Sequence, residues 1–175
     1  FSTSNLNTPE NLEKIEDTVY CNDRSISGTG LGYGEKETNY MARYRLCSST
    51  TYTPSLECTN KNDRFTVNTN TGNGDLTYPI GLLTADEIAL AGGACGYSNS
   101  DYYLYTGQDY WTLSPAEFSE NIITLAFFVS SDGDLYSRMI GDIYNGARPV
   151  ISLATGTNFR DNGATGTKEN PYIVE

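Results

Sequence analysis

The sequence predicts an α+β fold in which short β-strands dominate, and three observations support this class. Helix signals are confined to two segments, which begin at Thr8 and at Thr84. Elsewhere, short apolar pieces alternate with clusters of Gly, Ser, Thr and Asn, as is typical of strands on long loops. Hydrophobic residues make up only 38% of the chain and charged residues 19%, so polar uncharged residues and glycine are abundant. The length of 175 residues fits one domain, residues 1–175.

The first helix is predicted from Thr8 to Tyr20. Thr8 is a suitable N-cap, and Pro9 occupies the first helical position. Apolar residues then recur at helical spacing on one face, at Leu12, Ile15 and Val19.

The second helix is predicted from Thr84 to Ala91. The sequence Thr84-Ala85-Asp86-Glu87 is a capping box, in which the N-cap hydroxyl and the Glu87 carboxylate satisfy each other's backbone N–H groups. Gly92-Gly93 follows as a stop signal.

The remaining elements are predicted to be short strands and loops. Asp132-Gly133 predicts a β-hairpin, and the Tyr97–Tyr110 segment predicts an exposed aromatic loop. Asn68–Asp75 has oxygen-bearing side chains that resemble a calcium loop, but it lacks the terminal acidic ligand, which favours a polar turn. Strands are predicted within Tyr40–Leu46, Arg64–Val67, Tyr110–Leu113, Ile122–Val129, Arg148–Leu153 and Pro171–Val174.

Charge and histidine content exclude several function classes. The net charge is −11 and no basic stripe occurs, so a nucleic-acid backbone would be repelled. The chain has 0 His, which removes the commonest general base and the commonest zinc ligand. We expect no metal site, no cofactor and no nucleic-acid partner.

The four cysteines predict two disulfides. Their spacings match no CxxC motif for zinc or redox chemistry, and an even count on a polar, tyrosine-rich chain favours an oxidising compartment. Four cysteines allow three pairings that the sequence does not separate, and buried free thiols are the alternative. The pairing that we prefer is Cys21–Cys58 with Cys47–Cys95.

The second half of the chain carries an ordered set of motifs. These are YPIGLLTADEIALAGG, YYLYTGQDYWTLSP, FFVSSDGDLY, GARPVISL and GTKENPYIVE, and CNDRS stands at Cys21–Ser25. The set resembles an uncharacterised domain family of surface and secreted proteins from gut Firmicutes. The resemblance covers most of the chain and is strongest over Tyr78–Glu175.

That family is similar to C-type-lectin-like domains of the formylglycine-generating-enzyme type, which implies a scaffold of twisted antiparallel strands with two helices. The predicted helices at Thr8–Val19 and Thr84–Ala91 fit this pair. Trp111, Leu113 and Val129 then belong to the scaffold, together with the strand Arg148–Ile151. We expect Arg148 to pair with a nearby carboxylate as a structural residue.

The resemblance does not extend to catalysis, and we expect no enzyme. The enzymes of this fold type use a pair of reactive cysteines, whereas Cys95 is the only cysteine in the second half. The EPN and QPD triplets of calcium-dependent lectins are absent. Asp132 and Asp134 are the obvious carboxylate pair for glycoside chemistry, but acids around a glycine turn are typical of a hairpin.

In C-type-lectin-like domains the binding face is built by segments between the scaffold motifs, here Ala116–Thr124 and Tyr136–Tyr144. Apolar anchors mixed with polar contacts suit an interface. We expect exposure for Tyr136, Arg138 and Tyr144. The alternative, which we favour for the aliphatic and phenyl residues, assigns them to strand core, namely Ile122, Leu125, Phe127, Ile140 and Ile143. The candidate ligand-binding residues are Phe118, Glu120, Asn121, Tyr136, Arg138, Met139, Asp142 and Tyr144.

We therefore expect an extracellular, non-catalytic domain that mediates adhesion or ligand binding on a bacterial cell surface. The expected partner is a host protein or a neutral glycan, because an acidic domain repels anionic chains. The alternative is the globular head of a pilus or filament subunit that self-associates. The chain starts at Phe1 without an initiator Met and holds no apolar run of about 20 residues. We accordingly expect a soluble piece of a longer protein, whose membrane or cell-wall attachment lies in a segment outside it.

Overall fold

The structure, a computed structural model, describes residues 8–27, 36–47, 52–120, 124–141, 144–160, 163–167 and 169–175. The α-helices among these residues are α1 (Pro9–Leu12), α2 (Met41–Cys47) and α3 (Ala85–Ala91). The longer strands are β3 (Glu37–Asn39), β6 (Tyr110–Ser119), β7 (Thr124–Val129) and β8 (Leu135–Met139). The two-residue strands are β1 (Ile15–Glu16), β2 (Tyr20–Cys21), β4 (Arg64–Phe65), β5 (Gly81–Leu82), β9 (Gly146–Ala147), β10 (Pro149–Val150), β11 (Ser152–Leu153), β12 (Phe159–Arg160) and β13 (Ile173–Val174).

The central sheet has five strands in the order β3-β6-β7-β8, with β9 pairing in parallel with β6. The other pairs in this sheet are antiparallel, and the sheet curls into a half-barrel. Two-stranded antiparallel pairs form between β1 and β11, β2 and β4, β5 and β10, and β12 and β13. Few helices combined with many antiparallel strands confirm the predicted α+β class.

The hydrophobic core lies between this sheet and the helices α2 and α3. Burial alternates along β6 from Tyr110 to Ala116, as expected for a strand with one face in the core. The buried polar groups of this face have partners, since the Thr112 hydroxyl donates to the Phe127 carbonyl oxygen at 2.9 Å. The buried core cluster comprises Ala42, Leu46, Ala85, Ile88, Ala89, Tyr102, Leu104, Tyr110, Ala116, Phe127, Val129 and Leu135.

The second predicted helix is confirmed as α3. The Thr84 hydroxyl accepts the Glu87 backbone N–H at 3.1 Å, and the Glu87 carboxylate accepts the Thr84 backbone N–H at 2.7 Å. Gly92 ends the helix with a φ of +119°, a conformation that L side chains rarely adopt. Local sequence signals alone are sufficient to define both ends of this helix.

The first predicted helix is wrong beyond its first turn. Helix α1 ends at Leu12, and Ile15 pairs instead with Leu153 in the β1–β11 sheet. Val19, which completes the predicted apolar face, is 41% exposed. A short helix in water is marginal, so the distant strand pairing of Ile15 overrides the local periodicity.

The predicted strand at Tyr40–Leu46 is also wrong, because Met41–Cys47 forms helix α2. Ala42 and Leu46 are four residues apart and both are buried, so they lie on one helical face against the core. The segment contains the good helix formers Ala, Arg, Leu and Met, which short apolar runs do not distinguish from strands.

The other strand predictions hold at different lengths. Strand β4 forms at Arg64–Phe65, β6 extends through Pro115 to Ser119, and β13 forms at Ile173–Val174. Strand β7 is described only from Thr124, because 121–123 lie outside the described residues. Arg148–Leu153 forms the separate strands β10 and β11, because β10 pairs with β5 whereas β11 pairs with β1.

The turns and loops agree with the sequence in most places. Asn68–Asp75 is a turn in which the Asn68 side-chain oxygen accepts backbone N–H groups, and β7 and β8 form the predicted hairpin. The aromatic loop is only partly exposed, because Tyr103 is 80% exposed whereas Tyr102 is 7% exposed and belongs to the core.

Both preferred disulfides are confirmed. Cys21 bonds to Cys58 and Cys47 bonds to Cys95, with Cα–Cα distances of 5.9 Å and 5.2 Å. The first links β2 to the loop before β4, and the second links the end of α2 to the segment after α3. None of the helices that the structure describes is long and apolar enough to cross a membrane.

Candidate functional site

The predicted binding residues fall on two strands of the central sheet. Phe118 is half-buried near the end of β6, where its backbone pairs with Thr124 of β7. Glu120 follows it and is exposed, with its carboxylate 3.5 Å from the Lys36 ammonium. Asn121 and Asp142 lie outside the described residues. The other candidates are on or just after β8: Tyr136, Arg138, Met139 and Tyr144.

The two groups are close in backbone register at one end of the sheet but lie on different faces. Leu125 of β7 pairs with both Glu117 of β6 and Met139 of β8, so Met139 lies one row from Phe118. Because side chains alternate between faces from row to row, Phe118 and Met139 are on opposite sides of the sheet. Tyr136 and Arg138 extend from this row towards the other end of β8. The described candidates therefore lie in two places, with Phe118 and Glu120 at the end of β6 and the others on or just after β8.

The core alternative is correct for some residues and wrong for one. Phe127 is fully buried and Leu125 packs against the core. Ile140, in contrast, is 58% exposed, although its backbone N–H still donates to the Thr124 carbonyl oxygen of β7 at 3.1 Å. Ile122 and Ile143 lie outside the described residues.

The β8 surface, defined here as Trp111, Phe128, Tyr136, Arg138 and Tyr144, is organised by an aromatic row across three strands. Trp111, Phe128 and Tyr136 are register partners on β6, β7 and β8. Their rings meet edge to face at centroid distances of 6.2 Å and 6.4 Å, a favourable arrangement for aromatic pairs. Phe128, the central ring, is buried, whereas Tyr136 at the end of the row is 55% exposed.

Arg138 is held in one position beside this row. Its guanidinium carbon lies 4.3 Å from the centroid of the Phe128 ring, a cation–π distance. Its Nη1 donates to the Asp109 carboxylate at 3.0 Å and to the side-chain oxygen of Asn145 at 2.7 Å. Asp109 is itself fixed, because its other oxygen accepts the Ser131 backbone N–H at 2.6 Å. The guanidinium is thus preorganised at a half-exposed position.

Arg148, expected to pair with a carboxylate, has different partners. Its Nη1 donates to the Leu104 carbonyl oxygen, and its guanidinium carbon lies 5.4 Å from the Tyr110 ring centroid. The described residues place no carboxylate within ion-pair distance of it. The expected carboxylate partner is therefore replaced by a backbone carbonyl oxygen and an aromatic ring, both of which attract a cation.

A separate cleft of about 660 Å³ opens between β2, β4 and the start of α3. Its floor holds a buried ion triad. Arg45 donates to both oxygens of Asp86 at 2.7 Å and lies 2.8 Å from a carboxylate oxygen of Asp23. Burial by itself lowers the pKa of Arg45, but the hydrogen bonds that it donates to Asp86 and Asp23, and the charges of these acids, raise the pKa above its ordinary value. Every acid of the floor is therefore paired.

Three further charged side chains line the cleft, and they are not paired with each other: Arg64, Glu87 and Glu57. The Arg64 Nε donates to the Cys58 carbonyl oxygen at 2.6 Å, and Nη2 donates to the Thr59 carbonyl oxygen at 3.4 Å. The Glu87 Oε2 serves the capping box, and Glu57 is exposed at the rim. Among the described residues, none of these three side chains has an ion-pair partner.

One of the two acids of the hairpin turn, Asp134, has a structural role. The Asp134 Oδ1 accepts the Gly96 backbone N–H at 2.8 Å, which joins the turn to the segment after α3. Burial raises the pKa of Asp134 in spite of this bond. Asp132 is exposed in the turn. Across the described ranges, no group of three or more His, Cys, Asp or Glu side chains is placed to hold a metal ion.

The cleft has no contiguous motif in the sequence. Its walls come from segments between Val19 and Ser114, which the tertiary structure brings together. The capping box at Thr84 is the one local signal among the cleft residues, and it indicates only the start of a helix.

In comparisons with known proteins, no family model, no curated protein and no solved structure matches this chain.

Proposed function

We propose that this chain is a non-catalytic, extracellular ligand-binding or adhesion domain of a bacterial surface protein, with a C-type-lectin-like fold. The observation that carries the proposal is the fixed guanidinium of Arg138 on the β8 surface, which donates to Asp109 and Asn145 and lies over the Phe128 ring. Tyr144 follows close in sequence and is 83% exposed.

This arrangement has the properties of a binding hot spot. A few residues carry most of the binding free energy in protein interfaces, and Tyr, Trp and Arg are enriched among them. A side chain that is already fixed in the free protein loses little conformational entropy when a ligand binds, so preorganisation favours affinity. The exposed rings of Tyr136 and Tyr144 supply apolar contact area next to the charge.

Charge supports a neutral partner. The net charge of −11 opposes the approach of polyanionic chains, and Arg138 already has a carboxylate partner. A neutral glycan or a host protein therefore fits the surface better than an acidic polysaccharide does.

Two further features support the proposal, one for the extracellular location and one for the fold. Both disulfides form, and disulfides persist in oxidising compartments. The mixture of few helices and many antiparallel strands agrees with the C-type-lectin-like scaffold that the motifs resemble.

The test is binding of the purified monomer to an array of neutral glycans, mucins and host matrix proteins. A variant with Tyr136→Ala, Arg138→Ala and Tyr144→Ala should lose binding while its Tm stays within about 3 °C of the original. The matched control, Tyr44→Ala, Tyr103→Ala and Arg160→Ala, removes two exposed tyrosines and an exposed ion pair elsewhere and should bind normally. Equal binding by both variants would refute the proposed surface. An array without any binding, together with oligomers that grow with concentration, would favour the filament-subunit alternative.

A further inference from the structure

We propose that the cleft between β2, β4 and α3 is a second binding site, which takes a small zwitterion of the amino-acid or short-peptide class, with Arg64 receiving its carboxylate. The cleft shares no residue with the β8 surface. Its volume of about 660 Å³ lies within the ordinary range of small-molecule sites.

Arg64 is unusual among the arginines of this acidic chain. Five of the seven, at positions 24, 43, 45, 138 and 160, have a carboxylate partner, and Arg148 lies over an aromatic ring. Among the described residues, the Arg64 guanidinium has two partners, the backbone carbonyl oxygens of Cys58 and Thr59, and it lines the cleft. A guanidinium has five N–H donors in a planar fork that matches a carboxylate, so most of its capacity remains for a ligand.

The same cleft carries carboxylates that have no ion-pair partner in the part of the chain that the structure describes. Glu87 uses Oε2 for the capping box, and its Oε1 has no hydrogen-bond partner among the described residues. Glu57 stands at the rim, where none of the described cations lies within ion-pair distance. The floor acids are already neutralised by Arg45, so they do not compete for a ligand. A molecule that carries both an ammonium and a carboxylate group complements these two kinds of charge.

Apolar contact is available next to the charges. Leu56 is 66% exposed and Val19 is 41% exposed, and both line the cleft. A ligand with an aliphatic side chain would cover these two residues, which gains about 25 cal/mol per Å² of apolar surface removed from water. Polyanions are excluded, because the acids that line the cleft outnumber its arginines.

Calorimetric titration with four probes tests the inference. L-leucine and the dipeptide leucyl-leucine should bind, and the tighter of the two distinguishes a free amino acid from a peptide. L-leucinamide lacks the carboxylate and N-acetyl-L-leucine lacks the ammonium, so each should bind about tenfold more weakly or worse.

Matched variants locate the site. Arg64→Gln should weaken binding about tenfold or more, and Glu87→Gln should do the same while it keeps a side-chain acceptor for the capping box. Arg160→Gln removes an exposed arginine elsewhere and should change affinity less than about twofold. The inference is overturned if neither L-leucine nor the dipeptide binds at about 10 mM, if L-leucinamide binds as tightly as L-leucine, or if both cleft variants bind normally.

Discussion

Asp86 shows how one buried carboxylate connects several parts of this fold. It is 3% exposed in the first turn of α3, and its oxygens accept two N–H groups of Arg45 from α2. One of those oxygens also accepts the Ser55 backbone N–H at 2.9 Å. Removing one partner of a buried ion pair leaves the other charge without compensation, which costs much more than loss of a surface pair.

We expect Asp86→Asn to lower the free energy of unfolding by about 3 kcal/mol. This loss lies at the low end of the range for breaking a buried ion pair, because Arg45 keeps its ion pair with Asp23. Urea unfolding followed by circular dichroism measures the change. The control Asp101→Asn, at an exposed position, should stay within about 0.5 kcal/mol of the original. A similar stability for both variants would show that the triad contributes little.

Asp134 predicts a pH-dependent contribution to stability. Because burial raises its pKa in the folded state, the folded chain keeps a proton that the unfolded chain has already released. Stability from this group is therefore lost as the pH rises from about 4, its ordinary value, through the raised pKa. Asp134→Asn keeps an oxygen for the Gly96 N–H and removes the charge. The Tm of the variant minus that of the original should increase between about pH 4 and pH 7. A difference that stays constant with pH would contradict the prediction.

At the scale of elements, the β7–β8 hairpin positions the proposed binding surface. Gly133 in its turn has a φ of +79° and packs against the loop after α3. A Cβ at this position would lie 1.7 Å from the carbonyl oxygen of Asn99. The turn therefore requires glycine both for its backbone conformation and for the space it leaves to a neighbouring backbone.

We expect Gly133→Ala to lower the free energy of unfolding by more than about 2 kcal/mol. Gly96→Ala is the matched control, because Gly96 also has a positive φ, of +78°, but a Cβ there meets nothing within 4 Å. Its cost should be limited to about 1 kcal/mol of backbone strain. Equal losses from the two substitutions, measured by chemical unfolding, would show that close packing at Gly133 is unimportant.

At the scale of the whole molecule, two disulfides connect segments that are distant in the chain. Cys21–Cys58 spans 37 residues and Cys47–Cys95 spans 48. A crosslink over a long loop restricts the unfolded chain, and the restriction grows slowly with loop length. The two disulfides therefore add stability to a fold in which many strands are only two residues long.

Replacement of either cysteine pair by serine should lower the free energy of unfolding by about 4 kcal/mol, as the chain-entropy relation gives for loops of 37 and 48 residues. Chemical unfolding with and without a reductant measures this. Intact mass after alkylation without reductant should show no labelled thiol. Four labelled thiols in freshly secreted protein would refute both bonds.

The net charge of −11 also acts at the scale of the whole molecule. We expect no selective binding to heparin-like or sialylated chains, because like charges repel over about 8 Å at physiological salt. Binding to both chain types at about 0.05 M and 0.15 M salt measures this expectation. Selective and salt-sensitive retention would contradict it and would remove the argument for a neutral partner.

Local signals predicted much of the fold and part of the candidate site. The capping box at Thr84 and the turn at Asp132-Gly133 were identified because the groups that define them are within four residues of one another. The exposure of Tyr136 and Tyr144 was also expected. The hydrogen bond from Arg138 to Asp109 was not expected, because Asp109 lies 29 residues away in the chain.

The sequence by itself therefore determined the α+β class, helix α3, the hairpin, the acidic surface and the preference for two disulfides. Only the tertiary structure decided that Ile15 joins Leu153 in a sheet, that Met41–Cys47 is helical, and that Arg64 and Glu87 line one cleft. The physical reason is the range of the interactions. Caps and turns are stabilised by hydrogen bonds between near neighbours, whereas short apolar segments adopt whichever conformation buries them against distant parts of the chain.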